Sequence, residues 1–250
     1  MIFGSENIST YSRSNMAIWM ALAFQAGLLN VGGFLAVRTF VSHITGFATL
    51  ASVEMESGHF IRFIGFIALP MAFLLGSMAS GVLVDLRIKM KRKPKYYLVF
   101  GFMFFITLIV AVGGFNDFFG EFGQPPRTLS GYSLVTLLCF VCGVQNGTIT
   151  LVSKSVVRTT HLTGVTTDLG IGLVRILNRR RIKDVGNEGM ANVMRGGIIL
   201  FFVLGSLVGG PLFLEWEFRA FLLPCMISAV LFGITFFFQV VSPRVNEPGK

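Results

Sequence analysis

Six stretches of this chain stay apolar long enough to cross the roughly 30 Å hydrocarbon core of a bilayer. They fall near 17–37, 60–84, 97–115, 129–152, 194–214 and 220–241. Lipid offers backbone N–H and C=O groups no partners, so such segments must satisfy their hydrogen bonds internally, as helices or as a closed barrel. Barrel strands alternate apolar and polar side chains at every second position. Runs such as FGFMFFITLIVAVGG (100–114) do not alternate, and the expected class is all-α.

Composition supports this where it bears on the argument. Charged residues make up only 13%, hydrophobic ones 53%, and mean hydropathy is +0.73, whereas a soluble domain carries about 25% charged residues. The 27 Phe and 29 Gly suit lipid contact and close helix approach. A formal charge of +9 would point a soluble protein toward nucleic acid. Here the basic residues sit in short runs between apolar segments, so membrane lipids are the expected partner and nucleic acid is not. No small-x-small cleavage site follows the first segment, Ala17 to Val37, so it is read as a retained span. Cys139, Cys142 and Cys225 lie inside apolar segments and are read as packing residues.

The loops orient the spans. DLRIKMKRKPKY (85–96) and RILNRRRIKD (175–184) are strongly basic, which places both in the cytoplasm. The acidic segments around Glu54 and Glu56, Asp117 and Glu121, and Glu215 and Glu217 then lie outside. Six crossings satisfy this with both termini cytoplasmic. SHITGFATLASVEME (42–56) and THLTGVTTDLGIGLVRIL (160–177) are short and weakly apolar. Full crossings there would carry Arg179, Arg180 and Arg181 outside, so re-entrant or interfacial half-helices are preferred. Eight short-to-full helices remain the alternative.

The chain also repeats itself. Gly27-Leu28-Leu29-Asn30 aligns with Gly143-Val144-Gln145-Asn146, and His43-Ile44-Thr45-Gly46 with His161-Leu162-Thr163-Gly164. FLLGSMASG (73–81) aligns with FVLGSLVGG (202–210). The expectation is a single transmembrane domain over 1–250, with pseudo-repeats of about 17–115 and 129–241 and a cytoplasmic basic linker at 85–96. Three crossings per half invert the second copy relative to the first, the plan of many secondary transporters.

The candidate binding residues follow the repeat. Asn30 and Asn146 occupy matched places in the first span of each half, with Gln25 and Gln145 nearby, and amides in lipid need partners on another helix or a ligand. In the His-x-Thr-Gly motifs, Thr45 and Thr163 can cap a helix start, while Gly46 and Gly164 allow close approach. A helix start there presents free N–H groups to an anionic or polar solute. His43 and His161 can donate to a partner helix or titrate. Thr160 adjoins the second motif. Asp168, four residues past Gly164, reads as a first-turn acid. Arg38 and Arg158 lie near span ends. Gly76/Ser80 and Gly205/Gly209 offer small faces for helix contact. No metal-ligand cluster, phosphate-binding Gly-rich loop or nucleophile with its base is evident, so no enzyme activity, cofactor or metal is expected.

The segment GVQNGTITLVSKSVVRTTHLTGVTTDLGIGLV (143–174) resembles the YoaK-like, or DUF1275, family of bacterial membrane proteins of unknown function. The resemblance extends more weakly through GLLNVGGFLAVRTFVSHITGFATL (27–50) and covers about 18–240. It implies the duplication and a multi-pass place in the bacterial cytoplasmic (inner) membrane, and it names no substrate. Members usually carry an acidic residue near the position of Asn30, and an Asn where this chain has Phe47. Gln145, Asn146, Thr160, Thr163, Gly164 and Asp168 fit the family pattern. The expected function is a small secondary transporter or permease for a polar or anionic small molecule. The alternative is a non-transporting module that binds lipid or a membrane-protein partner. The lateral surface of so small a protomer suits a homodimer.

Overall fold

The computed structural model describes residues 13–126, 128–152, 162–181 and 188–241, and no strand occurs among them. The helices are α1 (Arg13–Val37), α2 (Ile44–Glu56), α3 (Phe60–Ser80), α4 (Leu86–Lys89), α5 (Tyr96–Phe115), α6 (Leu129–Val152), α7 (Leu162–Leu177), α8 (Glu188–Trp216) and α9 (Leu222–Phe236). A π turn at Gly81–Asp85 joins α3 to α4, a 3₁₀ turn at Glu217–Phe221 joins α8 to α9, and a second π turn at Phe237–Val241 extends α9.

Five apolar runs are long enough to cross a membrane, and the last, Glu188–Val241, spans 54 residues and contains both α8 and α9. These two run in opposite senses, as their packing partners establish below, so five runs make six passes. The chain is a multi-pass helical membrane protein. The helix entering the basic linker is longer than the sequence suggested. Phe60–Lys89 is one 30-residue run, about 45 Å at 1.5 Å per residue, so its Arg87 and Lys89 end reaches past the hydrocarbon core. α8 likewise begins at Glu188, six residues before the apolar stretch.

Small residues decide which helices meet. α1 packs on α8, α3 on α6 and α5 on α9. A Cβ added to Gly27 would overlap the Phe202 carbonyl, and one added to Gly205 would overlap the Phe24 carbonyl. The α3–α6 pair repeats this: Gly143 lies on the Phe73 carbonyl and Gly76 on the Phe140 carbonyl. Ser206 Oγ donates to Gly27 O at 3.3 Å, and Ser77 Oγ donates to Gly143 O at 3.1 Å. Gly197 meets Met20 and Gly209 meets Val31, so α1 and α8 run parallel. Gly65 meets Tyr132 and Gly147 meets Ser80, so α3 and α6 are parallel too. α5 and α9 are antiparallel, with Gly101 near Phe232, and Gln239 Nε2 donating to Pro94 O at 3.2 Å.

The ends sort by charge. Gly123 N–H donates to Ala36 O at 2.8 Å and Arg38 Nε to Gly123 O at 3.0 Å, tying the end of α1 to the loop that carries Asp117 and Glu121. The Arg219 guanidinium lies 4.7 Å from the Phe115 ring centroid, bringing Glu215 and Glu217 to the same end. The basic α4 end and the start of α8 lie at the other. α1 and α6 form the centre, with 61% and 67% of their apolar windows buried, against 28% for α3 with its extension, whose outer face is left to lipid.

Candidate functional site

Several polar groups in the interior bond across to other helices. Gln25 is fully buried, and its Nε2 donates to Ser228 Oγ at 2.6 Å and to Pro224 O at 3.2 Å, stitching α1 to α9. Gln145 Nε2 donates to Leu22 O at 2.6 Å, stitching α6 to α1. Ser80 Oγ donates to Val144 O at 2.6 Å and lies 2.9 Å from Thr148 Oγ1. Asn146 is also buried.

Asn30 is half-buried, and the Ser42 hydroxyl donates to its Oδ1 at 3.0 Å. This bond reveals the course of the chain. After α1 ends at Val37, residues 39–43 fold back along α1, where Val41 fills the space beside Gly33 and Phe40 stacks on Phe34 at 4.8 Å between centroids. α2 therefore starts about two turns below the end of α1 and returns to the acidic end, where Glu54 meets His59 just before α3. Its 13 residues measure about 20 Å, too short to cross. The chain thus turns back on α1 and leaves again at the same end.

The structure corrects two local expectations. The residue before α2 is His43, and no side-chain cap bond forms there, so Thr45 sits inside the helix and does not cap it. Residue 43 has φ −97° and ψ 76°, which starts the helix two residues earlier than Thr45 would. His43 and Thr45 are exposed, His43 sits edge-on to Phe40 at 5.7 Å between centroids, and Gly46 leaves the room that the His43 ring uses. In the second half, α7 already begins at Leu162, so Asp168 is a second-turn residue and not a first-turn acid. Asp168 and Thr163 are exposed, and nothing fills the space beside Gly164. Thr160, His161 and Arg158 lie outside the described residues.

Two ionic clusters went unnoticed in the sequence. At the α2–α3 corner, Glu54 Oε2 lies 2.8 Å from His59 Nδ1 and 3.8 Å from Arg62. At the α7–α8 corner, Glu188 receives Arg195 at 2.6 Å and Arg175 at 3.1 Å. Each joins a short helix to the span that follows it, one cluster at the acidic end and one at the opposite end. The available signal was spacing: Glu188, Asn192 and Arg195 fall at i, i+4 and i+7, one face of a helix.

Three open cavities lie toward the acidic end. The first, about 350 Å³, lies between Ala36, Gly120, Glu121, Gln124 and Thr128; the second, about 590 Å³, gathers Asp117, Glu121, Glu215 and Glu217 around Arg219. The third, about 660 Å³ and mostly apolar, opens between Leu212 and Met226. None of the three is lined by Asn30, Asn146, Thr163 or Asp168. Among the described residues no cluster of His, Cys, Asp and Glu is arranged to hold a metal ion.

A family model described as "Protein of unknown function (DUF1275)" matches residues 18–234. No curated protein and no solved structure matches the chain.

Proposed function

The chain belongs to the DUF1275 family of proteins of unknown function, and from that premise we propose that it is a small secondary transporter or permease for a polar or anionic small molecule. The observation that carries this proposal is the crossed pairing of helices. Gly27 meets Phe202 as Gly143 meets Phe73, and these are the aligned residues of the two halves with their roles exchanged. A two-fold axis in the membrane plane would map α1–α8 onto α6–α3, both parallel pairs. It would map α5–α9 onto itself, which requires that pair to be antiparallel. All three pairings support an inverted duplication, the framework for alternating access.

On this proposal α2 and α7 are the working parts, one facing each side. Asn30 with Ser42 forms the polar contact at the base of α2, and Asn146 and Thr163 mark the matched region of the second half. The basic ends face the cytoplasm of a bacterial inner membrane. The test is uptake into proteoliposomes across a panel of carboxylates, amino acids and neutral polar solutes. Saturable uptake that is lost in Asn30→Leu or Asn146→Leu is expected; no uptake of any panel member above protein-free vesicles would refute it.

The second reading, a module that binds lipid or a membrane protein, draws on a different observation. The Gln25 and Gln145 amides donate to neighbouring helices, a use of buried polar groups that holds spans together. It predicts a stoichiometric partner or lipid and no solute passage.

A further inference from the structure

The first two turns of α8 hold a polar cluster that is not internally complete. Glu188, Asn192 and Arg195 share one helix face, and Gly172 of α7 lies directly over it. A Cβ on Gly172 would overlap Asn192 Oδ1 and stand 2.6 Å from Glu188 Oε1 and 2.7 Å from Asn192 Nδ2, so a larger residue there would have to displace these side-chain ends. A single Arg195 nitrogen donates to Glu188 Oε1 at 2.6 Å and to Asn192 Oδ1 at 2.7 Å. Arg175, from α7, donates to the other carboxylate oxygen at 3.1 Å.

Two things are left over. Arg195 Nε and Asn192 Nδ2 are both buried N–H donors without a partner; Asn192 is 7% exposed and the Arg195 side chain 12%. In addition, two guanidinium groups share one carboxylate: the buried Arg195 has Glu188 as its counter-ion, and the excess positive charge falls to Arg175, which is 53% exposed. Buried donors are normally paired. The two unpaired donors, with a positive charge beside them, would be met by one anion.

We propose that this cluster is a binding site for a singly charged oxyanion, whether a small carboxylate or the phosphodiester of a lipid headgroup. Arg195 Nε and Asn192 Nδ2 hold it, and α7 covers it. An Arg N–H and an amide N–H can each donate to one of the two oxygens of such an anion. Gly172 blocks access in the closed arrangement, so entry parts α7 from α8. The Arg175–Glu188 pair, in which Arg175 is 53% exposed, is the contact that yields. The proposal deepens the transport reading by giving the solute a negative charge, and its test separates the two.

The full chain is purified in lipid-free detergent, and its melting temperature is followed against sodium acetate, with sodium chloride at matched ionic strength as reference. A second arm titrates short-chain phosphatidylglycerol into the same detergent, with short-chain diacylglycerol, which lacks the phosphodiester, as reference. Ligand that binds the folded state raises the melting temperature. Asn192→Leu should weaken the stabilisation about tenfold in apparent affinity, the scale of one hydrogen bond to a charged group. Glu188→Gln removes the internal counter-charge and should strengthen it, a gain that damaged folding cannot mimic. Protection by acetate marks a soluble carboxylate, and protection by phosphatidylglycerol alone marks a headgroup. The site is overturned if neither protects beyond its reference, or if Glu188→Gln weakens the effect as Asn192→Leu does. Binding without proteoliposome flux would remove the transport reading and leave the site; flux without binding would do the reverse.

Discussion

Gly27 of α1 lies so close to the carbonyl of Phe202 on α8 that a methyl group has no room between the helices. The same relation holds for Gly143 and the Phe73 carbonyl on the other pair. Gly27→Ala and Gly143→Ala should therefore each force the helices apart and cost about 1–3 kcal/mol, as overpacking does. Gly210→Ala, on α8 but facing open space, should be neutral or stabilising by up to about 1 kcal/mol through helix propensity. Reversible unfolding in mixed micelles measures all three, and equal losses at Gly27 and Gly210 would contradict the packing described.

Gln25 and Ser228 form a buried bond between α1 and α9. Interhelical hydrogen bonds in membranes are worth about 0.6 kcal/mol on average and reach about 1.7. Gln25→Leu and Ser228→Ala should each destabilise, and the double variant should lose less than the sum. A double-mutant cycle on the same unfolding assay gives the coupling; additivity within error would show that the bond contributes nothing.

The two corner clusters should differ in weight. Glu54 pairs with side chains that are 54% and 49% exposed, so Glu54→Gln should cost less than about 1 kcal/mol. Arg195 and Glu188 are 12% and 16% exposed, and Arg195→Gln should cost about 3 kcal/mol, because the carboxylate loses its closest partner. Thermal melting of the two variants side by side checks the order, and a larger loss at Glu54 would reverse it.

Much of the fold was legible because lipid leaves the chain few options. Apolar length set the spans, and small residues such as Gly76 and Gly205 marked the faces that now carry the closest contacts. Legibility failed where polarity hides helix. Glu188 and Asn192 look like loop residues, yet they lie in the first two turns of α8, with Asn192 buried, and the π turn at Gly81–Asp85 carries α3 on into the basic linker. Thr45 is not the cap because the return of residues 39–43 along α1, a tertiary constraint, starts α2 two residues early. Of the candidate site, the Asn30 partner Ser42 needed that same fold-back, which no local pattern announces.

The central claim is that α2 and α7 serve opposite faces of the membrane. Single cysteines at Thr45 and Thr163, in a chain whose Cys139, Cys142 and Cys225 are replaced by alanine, can be labelled with an impermeant maleimide from either side of oriented proteoliposomes. The account predicts that Thr45→Cys labels from the side of Asp117 and Glu217, and Thr163→Cys from the side of Lys91. Labelling of both from one side would contradict it.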